Sequence, residues 1–275
     1  MNQWRFLFYS INSAVRNMAV DEAIFRASQH EGSMPTLRFY GWEPAAVSIG
    51  FFQDLSLDIN IEACRSNKIH IVRRITGGRA VFHSAELTYS IIGREEDPKF
   101  PAGILNRYRI ISECISSTLS HFGVQAEMKK ERRNSTEKNL DGFCFSAPSQ
   151  YELLVNGKKI CGSAQARSNG SFLQHGSLLI DLDPSLTCAL MSFDKTNREE
   201  KIADIEKTTT CINFEVNRSI YLNDLCAVLA ASFESKFAIR LIPGTLNSDE
   251  LSMVDNLIEN KYGTDSWNYE AKSSI

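Results

Sequence analysis

Two Asn-Gly dipeptides in the second half of the chain constrain its fold more than any other feature. Asn156-Gly157 separates the run YELLV from KKICGSAQARS, and Asn169-Gly170 separates that run from SFLQHGSLLI. A two-residue type I′ turn needs positive φ at both central positions, which Asn and Gly adopt more readily than other residues. The pattern therefore predicts three antiparallel strands joined as a meander.

Side-chain alternation along the middle strand predicts which residues share a face. A two-residue turn would place Leu154 opposite Lys159. Strict alternation then gives one largely polar face, formed by Lys159, Cys161, Ser163 and Gln165. The other face would carry Ile160, Gly162 and Ala164. A polar row on one strand face is equally consistent with a solvent-exposed surface, so periodicity alone leaves its role open.

Composition restricts the class of protein. The chain has 275 residues, 43% hydrophobic and 23% charged, which are values of an ordinary globular protein with a sizeable core. A net charge of -3 predicts no general attraction to nucleic acid or to a membrane surface. No apolar run is long enough to span a bilayer, and MNQWRFLFYS lacks the order of charged, apolar and small residues of a signal peptide. We expect a cytoplasmic location.

The cysteines are odd in number, far apart, and without a CxxC pair, which argues against both a disulfide framework and a structural zinc site. They are Cys64, Cys114, Cys144, Cys161, Cys188, Cys211 and Cys226. Cys114 and Cys226 fall on the apolar stripes of predicted helices and are expected in the core. Cys161 is close to Lys159, but packing explains its place equally well. Cys144 lies among small residues and proline, where a loop could expose and position a thiol.

Residues 69–93, IHIVRRITGGRAVFHSAELTYSIIG, form the second informative region. An apolar strand is predicted to be followed by a segment with two arginines, a threonine and two glycines. Two further strands, AVFH and LTYSII, are predicted after that segment. Glycines let the backbone approach a ligand closely and leave amides free to face it. The alternative interpretation is a hairpin with a Gly-Gly turn and surface arginines.

Helices are predicted where apolar residues recur at helical spacing. They cover residues 17–29, 58–67 and 107–122, with two more marked by residues 222–233 and 251–258. Asp21 and Glu22 suit the dipole at the start of the first helix, and Asn247 with Glu250 is spaced as a capping box. Strand runs between helices, without regular βαβ alternation, predict an α+β domain on a mixed sheet.

A polar, largely basic segment precedes Cys144 at residues 129–139. Such a segment is usually a solvated loop. Its place directly before Cys144 also makes it a candidate for docking a partner or covering a site.

The motifs RRITGGRAVFHSAELTYSI and NGKKICGSAQARSNGSFLQHGSLLID resemble the biotin/lipoate protein ligase and octanoyltransferase superfamily. NMAVDEAI, PAAVSIGFFQD and KYGTDSWNY extend the similarity over nearly the whole chain. Within the superfamily the chain is most similar to cysteine-dependent octanoyl-[acyl-carrier protein]:protein octanoyltransferases of the lipoate-ligase-A-like branch. The resemblance implies a single catalytic domain over residues 1–275. Its core would span about 35–245, with a mixed or antiparallel sheet flanked by helices and the C-terminal helices packed on it.

The resemblance also implies functional residues. CFSAPSQYE places an acyl-accepting cysteine at Cys144, and GKKICGSAQ places at Lys159 a lysine that lowers the pKa of that thiol. The implied substrate-binding residues are Arg74, Thr76, Gly77, Gly78, His83, Gly162, Ser163, Ala164, Gln165 and His175. Cys161 replaces the small residue often found before GSAQ, which makes it a rival candidate for the nucleophile.

The implied activity is a two-step exchange in lipoate biosynthesis. Octanoyl would move from acyl carrier protein to Cys144 as a thioester, and then to a specific lysine of a lipoyl domain. That domain would belong to the glycine-cleavage H protein or to a 2-oxoacid dehydrogenase acyltransferase. No ATP, metal, nucleic acid or membrane is expected to take part.

Three other functions remain open. An ATP-dependent lipoate–protein ligase would share the fold, but PSQYE stands where ligases usually carry an Asn-Asp pair. An amidotransferase that moves octanoyl from H protein to other lipoyl domains would also use a cysteine. A non-catalytic module that binds acyl groups or carriers would need neither Cys144 nor Lys159, and both are present.

Overall fold

The computed structural model describes residues 2–129, 152–191 and 197–270. The strands of this part of the chain are β1 (Asn2–Asn12), β2 (Thr36–Trp42), β3 (Ala46–Ile49), β4 (His70–Arg73), β5 (Val81–His83), β6 (Glu86–Arg94), β7 (Glu127–Met128), β8 (Leu153–Val155), β9 (Lys158–Ser168), β10 (Ser171–Leu179) and β11 (Ile239–Pro243). The α-helices are α1 (Ala14–Ala27), α2 (Leu55–Asp58), α3 (Ile61–Ser66), α4 (Ile104–His121), α5 (Pro184–Leu190), α6 (Arg198–Thr208), α7 (Ile212–Val216), α8 (Leu222–Phe237), α9 (Ser248–Leu257) and α10 (Asp265–Asn268). A π-helix, Ile258–Tyr262, continues α9.

The predicted meander is confirmed. Asn156 and Gly157 have φ values of 51° and 80°, and Asn169 and Gly170 have 48° and 75°. These positive values close two tight hairpins, β8–β9 and β9–β10, as a type I′ turn requires. The long strands β9 and β10 pair antiparallel along eight registered positions, from Ser168 opposite Ser171 to Cys161 opposite Leu178.

A β-bulge overturns the predicted face of Lys159. Leu154 lies opposite Lys159 as expected, but Leu153 lies opposite Cys161, so Ile160 is an extra residue in β9. Directly opposed residues project to the same face, and neighbours along a strand project to opposite faces. Lys159 therefore lies on the other face from Cys161, because the bulge shifts the alternation by one residue.

The strands form two sheets, as in the predicted α+β class. The large mixed sheet has the order β11-β1-β2-β6-β10-β9-β8-β7. In it β11, β1 and β2 are parallel and the remaining pairs are antiparallel. A small sheet has the order β4-β3-β5. The Gly-Gly segment is therefore not a hairpin turn, because β4 and β5 pair with opposite edges of β3 rather than with each other.

Helices cover both faces of the large sheet. On one face α4 and α8 contribute to an apolar core with Phe39, Tyr89 and Phe172 of the sheet. On the other face α1 packs with Tyr40 and Leu173 of the sheet and with Tyr262 of the π-helix that follows α9. A third cluster fills the space around the small sheet, α2, α3 and α5. The predicted helices are observed with small shifts, the predicted 58–67 helix as α3, whereas α2, α5, α6, α7 and α10 were not predicted.

The C-terminal helix α9 is fixed by its first turn. Asn247 and Glu250 form the predicted capping box, with both reciprocal bonds present. Glu250 also accepts two bonds from the Arg5 guanidinium, at 2.6 and 2.7 Å. A bidentate pair of this kind, with the carboxylate buried, ties α9 to β1.

Candidate active site

A small cavity of about 40 Å³ lies between the large sheet and the small sheet. Its walls come from α1, β2, β3, β5, β6, β9, β10 and the segment between β4 and β5. Seven of the residues expected to bind substrate line it: Arg74, Gly78, His83, Gly162, Ser163, Ala164 and His175. The fold therefore brings together positions that are up to about a hundred residues apart in the chain.

Arg74 is the centre of the polar part of this cavity. Its Nε donates to Thr76 Oγ1 at 3.1 Å, and its Nη1 donates to Ser48 Oγ at 3.0 Å. Its Nη2 donates to the carbonyl oxygens of Gly77 and Arg79, at 2.9 and 2.7 Å. One buried guanidinium thus holds both β3 and the segment that follows β4.

The first arm from Arg74 runs through Thr76 to α1. Thr76 Oγ1 is 2.8 Å from His175 Nε2, and His175 Nδ1 is 3.3 Å from Asp21 Oδ2. A carboxylate only accepts, so His175 donates from Nδ1, and Nε2 accepts from the threonine hydroxyl. Asp21 also accepts from the Arg38 guanidinium at 2.6 Å and from the Tyr40 hydroxyl at 2.8 Å. This arm holds His175 as one neutral tautomer.

The second arm repeats the arrangement. Ser48 Oγ is 2.8 Å from His83 Nε2, and His83 Nδ1 is 2.8 Å from Glu86 Oε1. Trp42 stacks on the His83 ring at 3.9 Å between centroids, and its Nε1 donates to Thr88 Oγ1 at 2.7 Å. Arg74 therefore donates to two hydroxyls, those of Thr76 and Ser48. Each hydroxyl is hydrogen-bonded to a histidine, and a buried carboxylate orients that histidine. The result is a rigid polar wall along one side of an otherwise apolar cavity.

Sequence reasoning missed several members of this wall. Asp21 was expected near the start of a helix as a dipole partner, but α1 begins at Ala14 and both Asp21 and Glu22 are buried and hydrogen-bonded. Ser48 and Glu86 gave no signal beyond the motifs around them. NMAVDEAI and PAAVSIGFFQD, which carry Asp21 and Ser48, were the only available pointers.

The buried His175 predicts a pH dependence of stability. Burial lowers the pKa of His175, against the opposing effect of the Asp21 carboxylate. Burial alone would raise the pKa of Asp21, but Arg38, His175 and Tyr40 together hold it below its ordinary value. In the unfolded chain His175 takes up a proton below about pH 6.5, whereas the folded protein resists that proton. The contribution of the neutral His175 to the free energy of unfolding is fully present above about pH 6.5. It is lost as the pH falls toward the lowered pKa of His175 in the folded protein.

We therefore expect urea unfolding to show stability falling on acidification below about pH 6.5, by at most ~1.4 kcal/mol per pH unit from this group. His175→Gln should flatten that slope. The matched control is His121→Gln, at an exposed position at the end of α4, which should leave the slope unchanged. If stability depended on pH in His175→Gln as it does in the wild type, the assignment of this pH dependence to His175 would be wrong.

Lys159 is buried and lies on the same face of β9 as Gly162 and Ala164, which line the cavity. Its Nζ donates to Glu152 Oε1 at 2.6 Å, and the Glu152 side chain is also buried. Glu152 was not among the expected site residues, although it is the last residue of CFSAPSQYE. Cys144 lies outside the described residues.

Two expected binding residues use their side chains elsewhere. Ser163 borders the cavity, but its hydroxyl lies 2.7 Å from the Tyr89 hydroxyl. Gln165 does not line the cavity, and its Nε2 donates to Gln174 Oε1 at 3.0 Å. Both follow Cys161 in the alternation and face away from Lys159, which is a consequence of the bulge.

The cysteines of the described residues are free, and burial raises the pKa of every one of these thiols. For Cys161, the rival candidate, burial raises the pKa to about 12. Cys161 belongs to the core beneath α4 and α8 rather than to the cavity wall. A thiol in such a place is a poor nucleophile, because only the thiolate reacts readily.

Metal-binding clusters and membrane-spanning helices are both absent from the described part of the chain. No group of three or more His, Cys, Asp or Glu side chains there is arranged to hold a metal ion. No helix there has the length and apolar character needed to cross a membrane.

Comparison with known proteins places the chain in a family. Residues 13–234 match the model of the lipoyl protein ligase A/B catalytic domain. Octanoyltransferase LipM of Brevibacillus brevis is 40% identical, covering 98% of this chain and 99% of its own. Octanoyltransferase LipM of Bacillus subtilis is 38% identical, covering 97% and 98%.

Among solved structures, a bipartite lipoate protein ligase of Thermoplasma acidophilum superposes with a TM-score of 0.81. It is 24% identical, and the match covers 100% of both chains. This likeness shows the fold, and it agrees with the mixed sheet expected from the sequence. On the evidence of its matched residues and of relatives similar over nearly their full length, the chain belongs to the lipoyl protein ligase A/B catalytic domain family.

Proposed function

We propose that this protein is an octanoyltransferase of lipoate biosynthesis that works through a thioester on Cys144. The observation that carries the proposal is the 38–40% identity to octanoyltransferases over nearly the whole of both chains. The donor is octanoyl-acyl carrier protein and the acceptor is a lysine of a lipoyl domain. The catalytic residues are Cys144 and Lys159, and the cavity residues bind the acyl group.

The apolar lining of the cavity supports an acyl substrate. Met18, Trp42, Val81 and Ala164 give it apolar walls, while the side chains of Arg74, His83 and His175 are hydrogen-bonded within the protein. An unbranched hydrocarbon chain gains by leaving water for such a site. Gly162 and Gly78 line the cavity without side chains.

The Lys159–Glu152 pair supports the assignment of the nucleophile. The Lys159 side chain is held by an ion pair, with its Nζ 2.6 Å from the buried Glu152 carboxylate. Glu152 is eight residues after Cys144 in the chain, and eight residues span at most about 26–29 Å when extended. The contact from Glu152 to Lys159 anchors the end of the segment that carries Cys144 at the proposed catalytic lysine.

The first step of the proposed reaction is nearly isoenergetic. The Cys144 thiolate attacks the octanoyl carbonyl, and the phosphopantetheine thiolate of the carrier leaves and takes up a proton. A thioester replaces a thioester, so no nucleotide is needed. The neutral amine of the acceptor lysine then attacks the Cys144 thioester, an amide forms, and the Cys144 thiol is released. Two easier steps through a covalent intermediate replace one difficult step.

The raised thiol pKa values elsewhere support Cys144 by elimination. The other six cysteines are all described, and burial raises the pKa of each. Their free thiols also suit the reducing environment of the cytoplasm, which we propose as the site of action. Lys129, followed by Lys130, Arg132 and Arg133, would give an acidic carrier a local basic surface.

A donor assay tests the proposed function. The purified protein is mixed with a lipoyl domain and one of three donors: octanoyl-acyl carrier protein, octanoate with ATP, or an octanoylated H protein. We expect octanoylation of the domain, measured by intact mass, from the carrier-bound donor without ATP. Transfer only from octanoate with ATP would identify a ligase, and transfer only from the H protein would identify an amidotransferase. Binding without transfer from any donor would identify a non-catalytic module.

A further inference from the structure

Arg73, the residue before Arg74, is fully buried, yet it forms no ion pair with any described carboxylate. Its guanidinium instead donates to carbonyl oxygens from two separate segments. These oxygens belong to Gly50, Phe51, Gln53, Trp267, Asn268 and Glu270, at 2.8–3.4 Å. A planar, multiply donating cation suits such a junction better than any other side chain. Arg73 thus joins residues 50–53 to residues 267–270.

The backbone of Arg73 is held by the same C-terminal segment, defined here as residues 258–270. Its N–H donates to Asn268 Oδ1 at 3.0 Å, and its carbonyl oxygen accepts from Trp267 Nε1 at 2.8 Å. The Trp267 ring in turn lies beneath the Lys261 ammonium, 3.9 Å from the ring centroid. The end of β4 is therefore fixed by the C-terminal segment at the position directly before Arg74.

Residues 50–53 contact the site loop, defined here as residues 76–78. Phe51 N–H donates to the Thr76 carbonyl oxygen at 2.9 Å. A Cβ at Gly50 would lie 1.9 Å from the Gly78 carbonyl oxygen, so the two backbones are in direct contact. Displacement of residues 50–53 would therefore displace Thr76, which orients His175, and Gly78, which lines the cavity.

The C-terminal segment also holds α1 on the opposite side. Lys261 Nζ donates to both oxygens of Glu22, at 2.7 and 2.9 Å, and the Tyr262 hydroxyl donates to Glu22 at 2.5 Å. Glu22 follows Asp21, the carboxylate that orients His175. The C-terminal segment thus contacts both α1 and the end of β4. Asp21 of α1 and Arg74, directly after β4, are the two ends of the Asp21–His175–Thr76–Arg74 hydrogen-bonded chain.

We propose that the C-terminal segment, acting through Arg73 and Trp267, positions the site loop and thereby sets the acyl-chain selectivity of the cavity. Residues 258–270 lie beyond the stretch matched by the family model, residues 13–234. Arg73 and Trp267 are positioning residues, because neither lines the cavity. The selectivity part of the inference rests on the proposed octanoyl transfer, whereas the positioning part does not.

The test uses Trp267→Phe, which keeps an aromatic ring beneath Lys261 but removes the Nε1 donor, and Arg73→Lys, which removes the planar fork. Glu250→Gln is the matched control, since it weakens the Arg5 pair that anchors α9 at a point away from the site loop. Hydrogen exchange by mass spectrometry is followed in peptides that cover residues 48–54 and 74–80. Transfer is measured with hexanoyl, octanoyl and decanoyl donors.

We expect Trp267→Phe and Arg73→Lys to exchange about fivefold faster in these two peptides, the factor expected for one lost hydrogen bond. Their kcat/KM ratio of octanoyl to decanoyl should change by a similar factor. Glu250→Gln should change neither quantity, although it lowers stability. Global destabilisation would lower kcat for all donors alike, so equal ratios in all variants would overturn the selectivity role. Unchanged exchange in both positioning variants would overturn the positioning role, even if the wild-type protein transferred no octanoyl group.

Discussion

Replacing Cys144 with serine is expected to abolish octanoyl transfer while leaving the fold intact. Serine keeps the size of the side chain but is a far weaker nucleophile at neutral pH, and its oxygen ester would be a less reactive acyl donor. Loss of a covalent nucleophile typically lowers kcat by several orders of magnitude, so we expect a decrease of at least about 10³-fold. The measurement is the rate of octanoylation of a lipoyl domain, with thermal unfolding recorded for each variant.

Cys161→Ser is the matched control for this prediction. Cys161 is buried in the core and its thiol pKa is raised to about 12. The variant should retain transfer, with a loss of stability caused by a hydroxyl placed in an apolar site. An inactive but folded Cys161→Ser together with an active Cys144→Ser would reverse the assignment of the nucleophile.

Replacing Lys159 with methionine is expected to slow both transfer and alkylation of Cys144. A nearby ammonium lowers the pKa of a thiol by roughly 1–3 units, and each unit is ~1.4 kcal/mol. Alkylation near pH 7 should therefore slow roughly eight- to thirtyfold, because a thiol with an ordinary pKa near 8.5 is still about 3% thiolate at that pH, and the rate should recover as the pH is raised. The measurement is the pH profile of iodoacetamide labelling of the Cys144 peptide.

Two controls separate the charge of Lys159 from its structural role. Lys158→Met removes the neighbouring lysine, which is only half-buried at the hairpin turn, and should leave labelling unchanged. Lys159→Met leaves the buried Glu152 carboxylate without this partner, which costs about 3–5 kcal/mol in comparable pairs. The double variant Lys159→Met/Glu152→Gln should regain stability but not activity. Wild-type labelling at all pH values in Lys159→Met would remove Lys159 from the proposed role.

The sequence predicted the local structure well where a single short-range rule decides the outcome. Asn156-Gly157 and Asn169-Gly170 adopt the positive φ values that their turns require. Asn247 and Glu250 form the capping box that their spacing predicts. In each of these cases the interacting groups are close in the chain, so local chemistry was enough.

The face of Lys159 could not be predicted because it depends on a bulge. Alternation counted from the Asn156 turn fails at Ile160, which is an extra residue in β9 between the positions paired with Leu154 and Leu153 of β8. No residue in KKICG is diagnostic of that insertion. The consequence for the site is large, since it moves Lys159 to the face that carries the cavity and leaves Gln165 on the other.

The buried polar wall could not be predicted from the sequence either, because its residues are far apart in the chain. His175 is 154 residues from Asp21, and Ser48 is 35 residues from His83. The motif around Arg74 identified the centre of the wall. The hydroxyls and carboxylates that complete each arm become visible only when β3, β10 and α1 are packed together.

The most direct test of the proposed mechanism is to identify the acyl-enzyme. The wild-type protein is incubated with octanoyl-acyl carrier protein in the absence of nucleotide, and its peptides are mapped by mass spectrometry before and after treatment with neutral hydroxylamine. Thioesters are cleaved by this reagent, whereas amides survive. The proposed mechanism predicts one octanoyl adduct on the Cys144 peptide, lost on treatment. An adduct on any other residue, or acylation that requires ATP and free octanoate, would contradict it.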